Sequence, residues 1–293
     1  MTCQQLILKG SSLRIHFVID SASDILPQEA EQLGVTVLPL TVTFGDTTYR
    51  DSVDLSHREF FEKLASSREL PTTSQLPPAV FADCFEPLVA TGHDIVVITL
   101  SSKLSGTYQS AVIAASDYPG RVFVVDSLSA AIGQRVLLMR GLELAKEGLS
   151  AEAIAARLDE EKSRIRVMAV IDTLEYLKKG GRISAAVALA GTVLSVKPAI
   201  EISDGLVAMA GKARGTRQGN VLLRQLMDKY GGVNLDAPYA FVYSGLNDDL
   251  LQKFIADQPD LWPEAKDLPI HSLGCTIGTH VGPGAYGIAF FEK

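Results

Sequence analysis

Cysteine is scarce in this chain of 293 residues, and the three cysteines, Cys3, Cys84 and Cys275, are widely separated. No two of them form a Cys-x-x-Cys pair, so the sequence indicates neither a disulfide framework nor a zinc site. A reducing compartment, the cytoplasm, fits this usage best. We expect no metal site and no cofactor.

Positive charge is also in deficit. The net charge is −7 at pH 7 and the isoelectric point is about 5.3. Sequence-independent binding to nucleic acid needs a strongly basic face, so we expect no nucleic-acid partner.

Long apolar runs are missing as well, because charge, glycine or proline interrupts every candidate within about 18 residues. Residues 1–13 read as an N-terminal extension with one short apolar run, Leu6-Ile7-Leu8, which does not make a secretory signal. If the protein handles lipid, we expect it to do so in solution or through transient contact with a membrane surface.

Several catalytic motifs are absent too. The sequence contains no Gly-x-Ser-x-Gly elbow, no His-Glu-x-x-His and no phosphate-binding loop of the Walker type. Residues 282–287 match Gly-x-Gly-x-x-Gly, but they precede a predicted strand and open no helix, so they are not a dinucleotide fingerprint. The chain is therefore not expected to bind ATP as a kinase does.

What the sequence has is an alternation of β-branched runs with helical periodicity, and 47% hydrophobic residues, enough for two cores. In an N-terminal domain, residues 14–163, this pattern predicts strands at 16–19, 35–44, 95–100 and 121–125 and helices near 27–33, 55–66, 78–90, 107–116, 128–146 and 151–163. Such alternation is typical of a parallel sheet with helices on both faces.

The remaining residues, 164–293, predict a second α/β domain with a mixed sheet. Its predicted strands are 166–171, 198–203, 206–211, 239–244, 270–273 and 286–291. Its predicted helices are a short one ending at Gly180, then 184–194, 216–230 and 247–257. Asp204-Gly205 predicts a type I′ turn between two of the strands, and residues 274–287 read as a glycine-rich loop. A ligand site is expected in a cleft between the domains.

Hydroxyl-rich segments follow the predicted strands. Ser101-Ser102-Lys103-Leu104-Ser105-Gly106-Thr107 opens a helix, and Thr72-Thr73-Ser74 forms a turn before another. Single hydroxyls at such positions usually cap a helix. Four in seven residues, beside free helix N–H groups, favour an anionic ligand instead. Asp20 and Asp24 read as a strand end and a helix N-cap.

These segments, together with Gly180-Gly181-Arg182-Ile183-Ser184 and Gly278-Thr279-His280-Val281-Gly282-Pro283-Gly284-Ala285, resemble the DegV family over about residues 14–293. Its members are bacterial fatty-acid-binding proteins that present fatty acids to a fatty acid kinase. The resemblance implies a non-catalytic acyl carrier, whose carboxylate a separate ATP-dependent kinase converts to an acyl phosphate for phospholipid synthesis.

The resemblance also assigns residues. It implies that Thr73, Ser102, Arg214 and His280 hold the carboxylate, with Ser105 as a further donor. A supporting loop set comprises Thr72, Ser74, Gly106, Thr107, Gly278 and Gly282. Lys178, Lys179 and Arg182 are candidates for docking the kinase. For the acyl tail, the best candidates are residues 184–194 and 130–139, although plain core is the default interpretation of both.

Two other functions stay open from the residues alone. One is an enzyme, either a hydrolase that pairs a serine with His280 or a relative of dihydroxyacetone kinases. The other is a sensor of an unrelated small anion.

Overall fold

The structure, a computed structural model, describes residues 14–183, 196–262 and 267–293. The strands are β1 Ile15–Asp20, β2 Thr36–Leu38, β3 Thr41–Phe44, β4 Thr47–Arg50, β5 Thr72–Ser74, β6 Asp94–Thr99, β7 Val122–Asp126, β8 Ile165–Val170, β9 Val196–Ser203, β10 Leu206–Arg214, β11 Tyr239–Tyr243, β12 Ile270–Ser272 and β13 Tyr286–Phe291. The α-helices are α1 Pro27–Leu33, α2 His57–Ser66, α3 Pro78–Ala90, α4 Thr107–Ala115, α5 Ile132–Lys146, α6 Ala151–Glu161, α7 Glu175–Lys179, α8 Gly215–Lys229, α9 Asp249–Ala256 and α10 Cys275–Val281. The extension 1–13 and the predicted helix 184–194 lie outside the described residues.

The N-terminal sheet is parallel, with strand order β2-β1-β6-β7. Side chains alternate along each strand, so Val18 and Val97 pack against Phe81 on one face. Val96 lies on the other face, in the core that also contains Leu137 of α5. Helices therefore cover both faces, which confirms the predicted fold class for this part of the chain.

The C-terminal sheet is mixed, with strand order β10-β9-β8-β13-β11-β12. Only its β11–β12 pair is parallel. The β9–β10 hairpin turns at Asp204 (φ 49°) and Gly205 (φ 80°), and two successive positive φ angles are what a type I′ turn requires. The mixed sheet and its hairpin agree with the sequence analysis.

The single strand predicted at 35–44 is wrong. It divides into β2, in the parallel sheet, and β3, in a small antiparallel sheet of order β4-β3-β5. Pro39 lies between the two strands, and proline cannot donate to a strand ladder. Residues 72–74, predicted as a turn, are β5, in which Thr73 pairs with Val42 of β3.

The loop predicted at 274–287 is also wrong, because its first half is helix α10. A buried carboxylate from far away in the sequence satisfies the start of this helix. Asp51 Oδ1 accepts the Cys275 N–H (3.1 Å) and Asp51 Oδ2 accepts the Thr276 N–H (3.0 Å). Four N–H groups at a helix start lack partners within the helix, so such a carboxylate stabilises it.

Asp24 does not cap the following helix, contrary to the sequence analysis, since Leu26 occupies the N-cap of α1. Its Oδ1 instead accepts the Gly274 N–H at 2.7 Å, 250 residues away. Asp24 and Asp51 thus tie the N-terminal half of the protein to the start of α10. Asp20 ends β1 as expected and accepts the backbone N–H groups of Ala22 and Leu100.

Helix α5 lies between the two large sheets. Ile132 and Val136, on its buried side, belong to one continuous core with Ala240 and Val242 of β11 and Leu273 after β12. The two halves of the chain therefore share apolar packing as well as the hydrogen bonds at α10. Among the helices in the described ranges, none is long and apolar enough to cross a membrane.

Candidate ligand-binding site

A cavity of about 290 Å³, here called the main cavity, lies between the carboxyl ends of the parallel strands and the C-terminal sheet. Strand β6 leads into it at Leu100, and α10 borders it with Ile277 and His280. Ligands in open α/β sheets bind outside the carboxyl ends of the strands, and the cavity has that position. Its volume is at the lower end of the about 300–1,000 Å³ that is usual for small-molecule sites.

Two of the predicted residues meet at the main cavity although they are 207 residues apart. Thr73 Oγ1 lies 2.9 Å from His280 Nε2. The small antiparallel sheet places Thr73, and helix α10 places His280. The packing of α10 against that sheet therefore brings the hydroxyl and the imidazole together.

His280 is half-buried, and its imidazole is held in the neutral form at pH 7. Burial, and then the nearby charge of Arg182, lowers the pKa of His280 to about 4. Its Nδ1 is buried without a hydrogen-bond partner in the described part of the chain. Gly180 makes room for the ring, since a Cβ there would lie 2.2 Å from Nδ1. The Nδ1 side of the ring therefore packs on Gly180, and the Nε2 side contacts Thr73 at the cavity.

The predicted Ser101–Thr107 turn contributes Leu104, Ser105 and Gly106 to the cavity wall. Gly106 packs closely on Gln75, since a Cβ at Gly106 would lie 2.0 Å from Gln75 Oε1. The hydroxyl of Ser105 contacts that of Thr107 at 2.9 Å. Thr107 itself is buried and outside the lining of the cavity.

Arg182 completes the polar border. Its Nε donates to the Leu104 carbonyl (3.3 Å) and its Nη1 donates to the Gly180 carbonyl (2.7 Å). Arg182 thus links the Ser101–Thr107 turn to the glycine against which His280 packs. The sequence analysis placed Arg182 in a docking patch, whereas the structure places it in the lining of the cavity. We call this connected set the polar ring, and it consists of Thr73, Gln75, Ser105, Arg182 and His280.

Other predicted residues lie outside the ring. Ser102 does not line the cavity, and its backbone N–H donates to Asp126 Oδ1. Arg214 is exposed at the end of β10 and also lies outside the lining. Thr72 is exposed, whereas Ser74 lines the cavity beside Thr73.

The two predicted loop glycines serve packing. A Cβ at Gly278 would lie 2.6 Å from the ring of Phe60, so glycine lets α10 approach α2. Gly282 has φ 73°, and a Cβ there would lie 2.3 Å from the ring of Tyr176. Both glycines fix the position of α10 without lining the cavity.

Lys178 and Lys179 are exposed on α7, next to Leu177, which lines the cavity. Lys179 Nζ pairs with Glu175 Oε1 at 2.6 Å. These lysines are therefore surface groups close to the cavity wall.

Beyond the polar ring and Ser74, the wall is apolar apart from Glu201 and Thr276. The Glu201 carboxylate accepts a hydrogen bond from Tyr230 at 2.9 Å. From the predicted tail segment 130–139, residues Ala130, Ala131 and Ile132 line the cavity. Sequence reasoning missed the apolar residues from other elements, namely Val167, Ile200, Val207, Val242 and Leu273. Each reads as ordinary strand core, and no local signal distinguishes it.

The ring can hold an anion, and its one hydroxyl–imidazole contact in the described ranges differs from the Ser-His-Asp triad of hydrolases. The hydroxyl that contacts His280 belongs to a threonine, and no carboxylate orients its Nδ1 within the described ranges. Hydroxyl, neutral imidazole and guanidinium donors, on a mostly apolar cavity, fit an amphiphile with an anionic head.

Comparison with known proteins identifies a family whose match covers all of the described residues. The model of the DegV family, described as uncharacterised protein, matches residues 14–293. A DegV domain-containing protein of Halalkalibacterium halodurans is 34% identical over 280 residues, which cover 95% of this chain and 98% of the relative.

Solved structures are similar too. One is the structure of a DegV family protein from Thermus thermophilus and concerns its fatty acid binding. It has a TM-score of 0.83 and 36% identity, and the match covers 96% of this chain and 100% of that chain. Another is a stearic-acid-binding protein from Eubacterium ventriosum. It has a TM-score of 0.83 and 28% identity, and the match covers 94% of this chain and 98% of that chain.

Proposed function

The chain belongs to the DegV family, and we propose on that basis that it binds a long-chain fatty acid in the main cavity and presents the carboxylate to a separate ATP-dependent kinase. The observation that carries the first part is the composition of the cavity: a ring of hydrogen-bond donors joined to a mostly apolar wall. The relatives from Thermus thermophilus and Eubacterium ventriosum, which bind fatty acids, support it.

The polar ring would hold the head group. Thr73 and Ser105 each offer a hydroxyl, and His280, neutral at pH 7, can offer an N–H from one ring nitrogen. Arg182 adds a half-buried positive charge that favours the ionised carboxylate. By family resemblance Ser102 and Arg214 would take part, and they remain predictions because both lie outside the cavity lining.

The apolar wall would hold the acyl tail. Burying one methylene is worth about 0.8 kcal/mol, so the tail contributes most of the affinity. The protein itself would be a non-catalytic carrier in the cytoplasm, and the bound carboxylate would become an acyl phosphate for phospholipid synthesis on the kinase.

Lys178 and Lys179 would help to dock that kinase. They are exposed beside Leu177, which borders the cavity, so a partner seated on them would reach the head group. In a protein of net charge −7, a local basic face steers an acidic partner.

Native mass spectrometry of freshly purified protein tests the binding step. We expect a mass increment equal to a long-chain fatty acid, which lipid extraction then identifies. Protein that carries no lipid and takes up none from palmitate would contradict the proposal. Hydrolysis of ester substrates, or ATP consumption by the protein alone, would favour an enzyme instead.

The kinase step needs its own test. Loaded protein, ATP and a competent fatty acid kinase should give acyl phosphate, and His280→Ala should retain lipid but lose most of this product. Omission of the kinase is the control. Equal product from the variant would remove His280 from the transfer step.

A further inference from the structure

A second space adjoins the apolar part of the main cavity. This distal cleft, of about 410 Å³, lies between α5 and the strands β11 and β12, of which β12 is the edge of the C-terminal sheet. Its lining includes Val136 and Met139 of α5, Ala240 of β11, and His271 of β12. It opens at the surface beside Leu235, which is 54% exposed.

The two spaces are lined by neighbouring residues of the same three parts of the chain, namely α5, β11 and the segment around β12. On α5 the main cavity touches Ile132 and the distal cleft touches Val136, one helical turn further on. On β11 the corresponding residues are Val242 and Ala240. Near β12, Leu273 lines the main cavity and His271 the cleft.

These steps are short. Four residues of helix rise about 6 Å, and two residues of strand span about 6.6 Å. Residues two apart on a strand share a face, so no other side chain of β11 facing this layer lies between Ala240 and Val242. Phe241, between them, packs in the separate core around Trp262. On α5 and β11 the two linings are therefore contributed by successive residues of the same face.

The charges around the distal cleft favour an apolar occupant over an anion. Arg135 borders the cleft, but it is paired with Glu29 and also donates to the Asp24 carbonyl. Glu143, which pairs with Arg140, and Asp236 also line the cleft, so acidic groups outnumber basic ones in its lining. A carboxylate is repelled here and attracted by Arg182 at the polar ring, which fixes the direction of the chain.

We propose that the distal cleft holds the methyl end of long acyl chains, so that the fatty-acid site continues from the main cavity past Val136, Ala240 and His271. The inference rests on the proposed function. Binding of the longest acyl chains then depends on both the main cavity and the distal cleft, whereas binding of shorter chains depends on the main cavity alone.

Substitution of Met139 by tryptophan tests it, because Met139 is half-buried in the lining of the cleft and away from the main cavity. Binding of palmitate, stearate and arachidate to lipid-free protein is measured by titration. We expect Met139→Trp to weaken arachidate at least about tenfold, the worth of two lost methylene contacts, and to leave palmitate within about twofold. Val136→Ala should have the opposite effect and strengthen arachidate relative to palmitate.

Ile113→Trp is the matched control, since Ile113 is 51% exposed on α4 of the N-terminal domain. It should behave like the parent protein. Arachidate that binds Met139→Trp as tightly as it binds the parent overturns the inference. So does a parent protein that binds palmitate but rejects arachidate, and in that case the proposed function still stands. A parent that binds none of the three acids defeats the proposed function instead.

A second measurement needs no variant. Stearate with a diazirine at its methyl end, bound to the parent and irradiated, should label the segment containing Val136 and Met139. Labelling confined to the strand containing Val167 would place the chain end in the main cavity and overturn the inference.

Discussion

The two parts of the main cavity are built in opposite ways. The polar ring is assembled from single side chains on β5, the Ser101–Thr107 turn, the segment after α7, and α10. The apolar part, here called the apolar layer, is a broad wall of side chains from α5, the C-terminal sheet and the elements around them. A hydrogen bond contributes about 1 kcal/mol net, whereas each buried methylene contributes about 0.8 kcal/mol. From these magnitudes we expect the ring to orient a ligand and the apolar layer to set its affinity.

The largest predicted effect comes from shortening the tail. Octanoate lacks eight of the methylenes of palmitate, so it should bind more weakly by roughly 6 kcal/mol. Titration of lipid-free protein with acids of increasing length measures this, and loss of affinity should be stepwise. Comparable affinities for octanoate and palmitate would mean that the apolar layer does not receive the tail.

The next effect concerns His280 and stability. Its pKa is about 4 in the folded protein and 6.5 ordinarily, so the unfolded chain binds more protons between these values. The stability due to neutral His280 is present above pH 6.5 and is lost as the pH falls towards 4. We expect ligand-free parent protein to lose about 3 kcal/mol more than His280→Gln over this range, in urea denaturation at each pH.

Asp20 serves as the internal reference for that experiment. Burial raises the pKa of Asp20 to about 7, so its contribution has the opposite sign and falls as the pH rises towards 7. Both proteins contain Asp20, and the difference between them isolates His280. Parallel pH profiles would show that His280 is not held in its neutral form by burial.

A smaller effect is expected within the ring. Thr73→Val keeps the shape of the side chain but removes the hydroxyl that contacts His280, and should weaken palmitate by about 1 kcal/mol, or roughly fivefold. Isothermal titration calorimetry gives the value. Thr72→Val, at an exposed position outside the cavity, is the control. A loss of several hundredfold would make the ring the main source of affinity.

The smallest effect should come from the surface. Lys178→Glu combined with Lys179→Glu should slow association with a fatty acid kinase a few-fold at low salt and leave lipid content unchanged. The difference should fade as salt increases, because exposed charges are screened. Association rates that match the parent at every ionic strength would show that this face is only solvated surface.

Much of the fold could be predicted from local patterns. The parallel strands read as β-branched runs, and Asp204-Gly205 indicated its hairpin directly. One of the errors arose where a distant residue decides the local structure. Residues 274–287 are rich in glycine and read as a loop, but Asp51, 224 residues away, stabilises the helix that begins at Cys275. No local propensity contains that information.

In the candidate site, too, some residues could be predicted from the sequence, whereas others depend on distant contacts. Thr73 and His280 were assigned through the resemblance to the DegV family, and the structure brings them together. The sequence analysis assigned Arg214 to the carboxylate and Arg182 to docking, because nothing local to either arginine indicates which one the fold brings to the cavity. Only the contacts of Arg182 with Leu104 and Gly180 place it in the ring.

The most direct test of the central claim compares head and tail in one titration. Hexadecanol keeps the whole tail of palmitate but has a neutral head, whereas octanoate keeps the carboxylate and half the tail. Displacement of a fluorescent fatty acid from lipid-free protein should rank hexadecanol above octanoate, since one hydrogen bond to a charged head contributes about 1.5–3 kcal/mol whereas the missing half of the tail costs roughly 6 kcal/mol. Octanoate should be weaker than both. Octanoate that binds more tightly than hexadecanol would contradict the claim that the apolar layer sets the affinity.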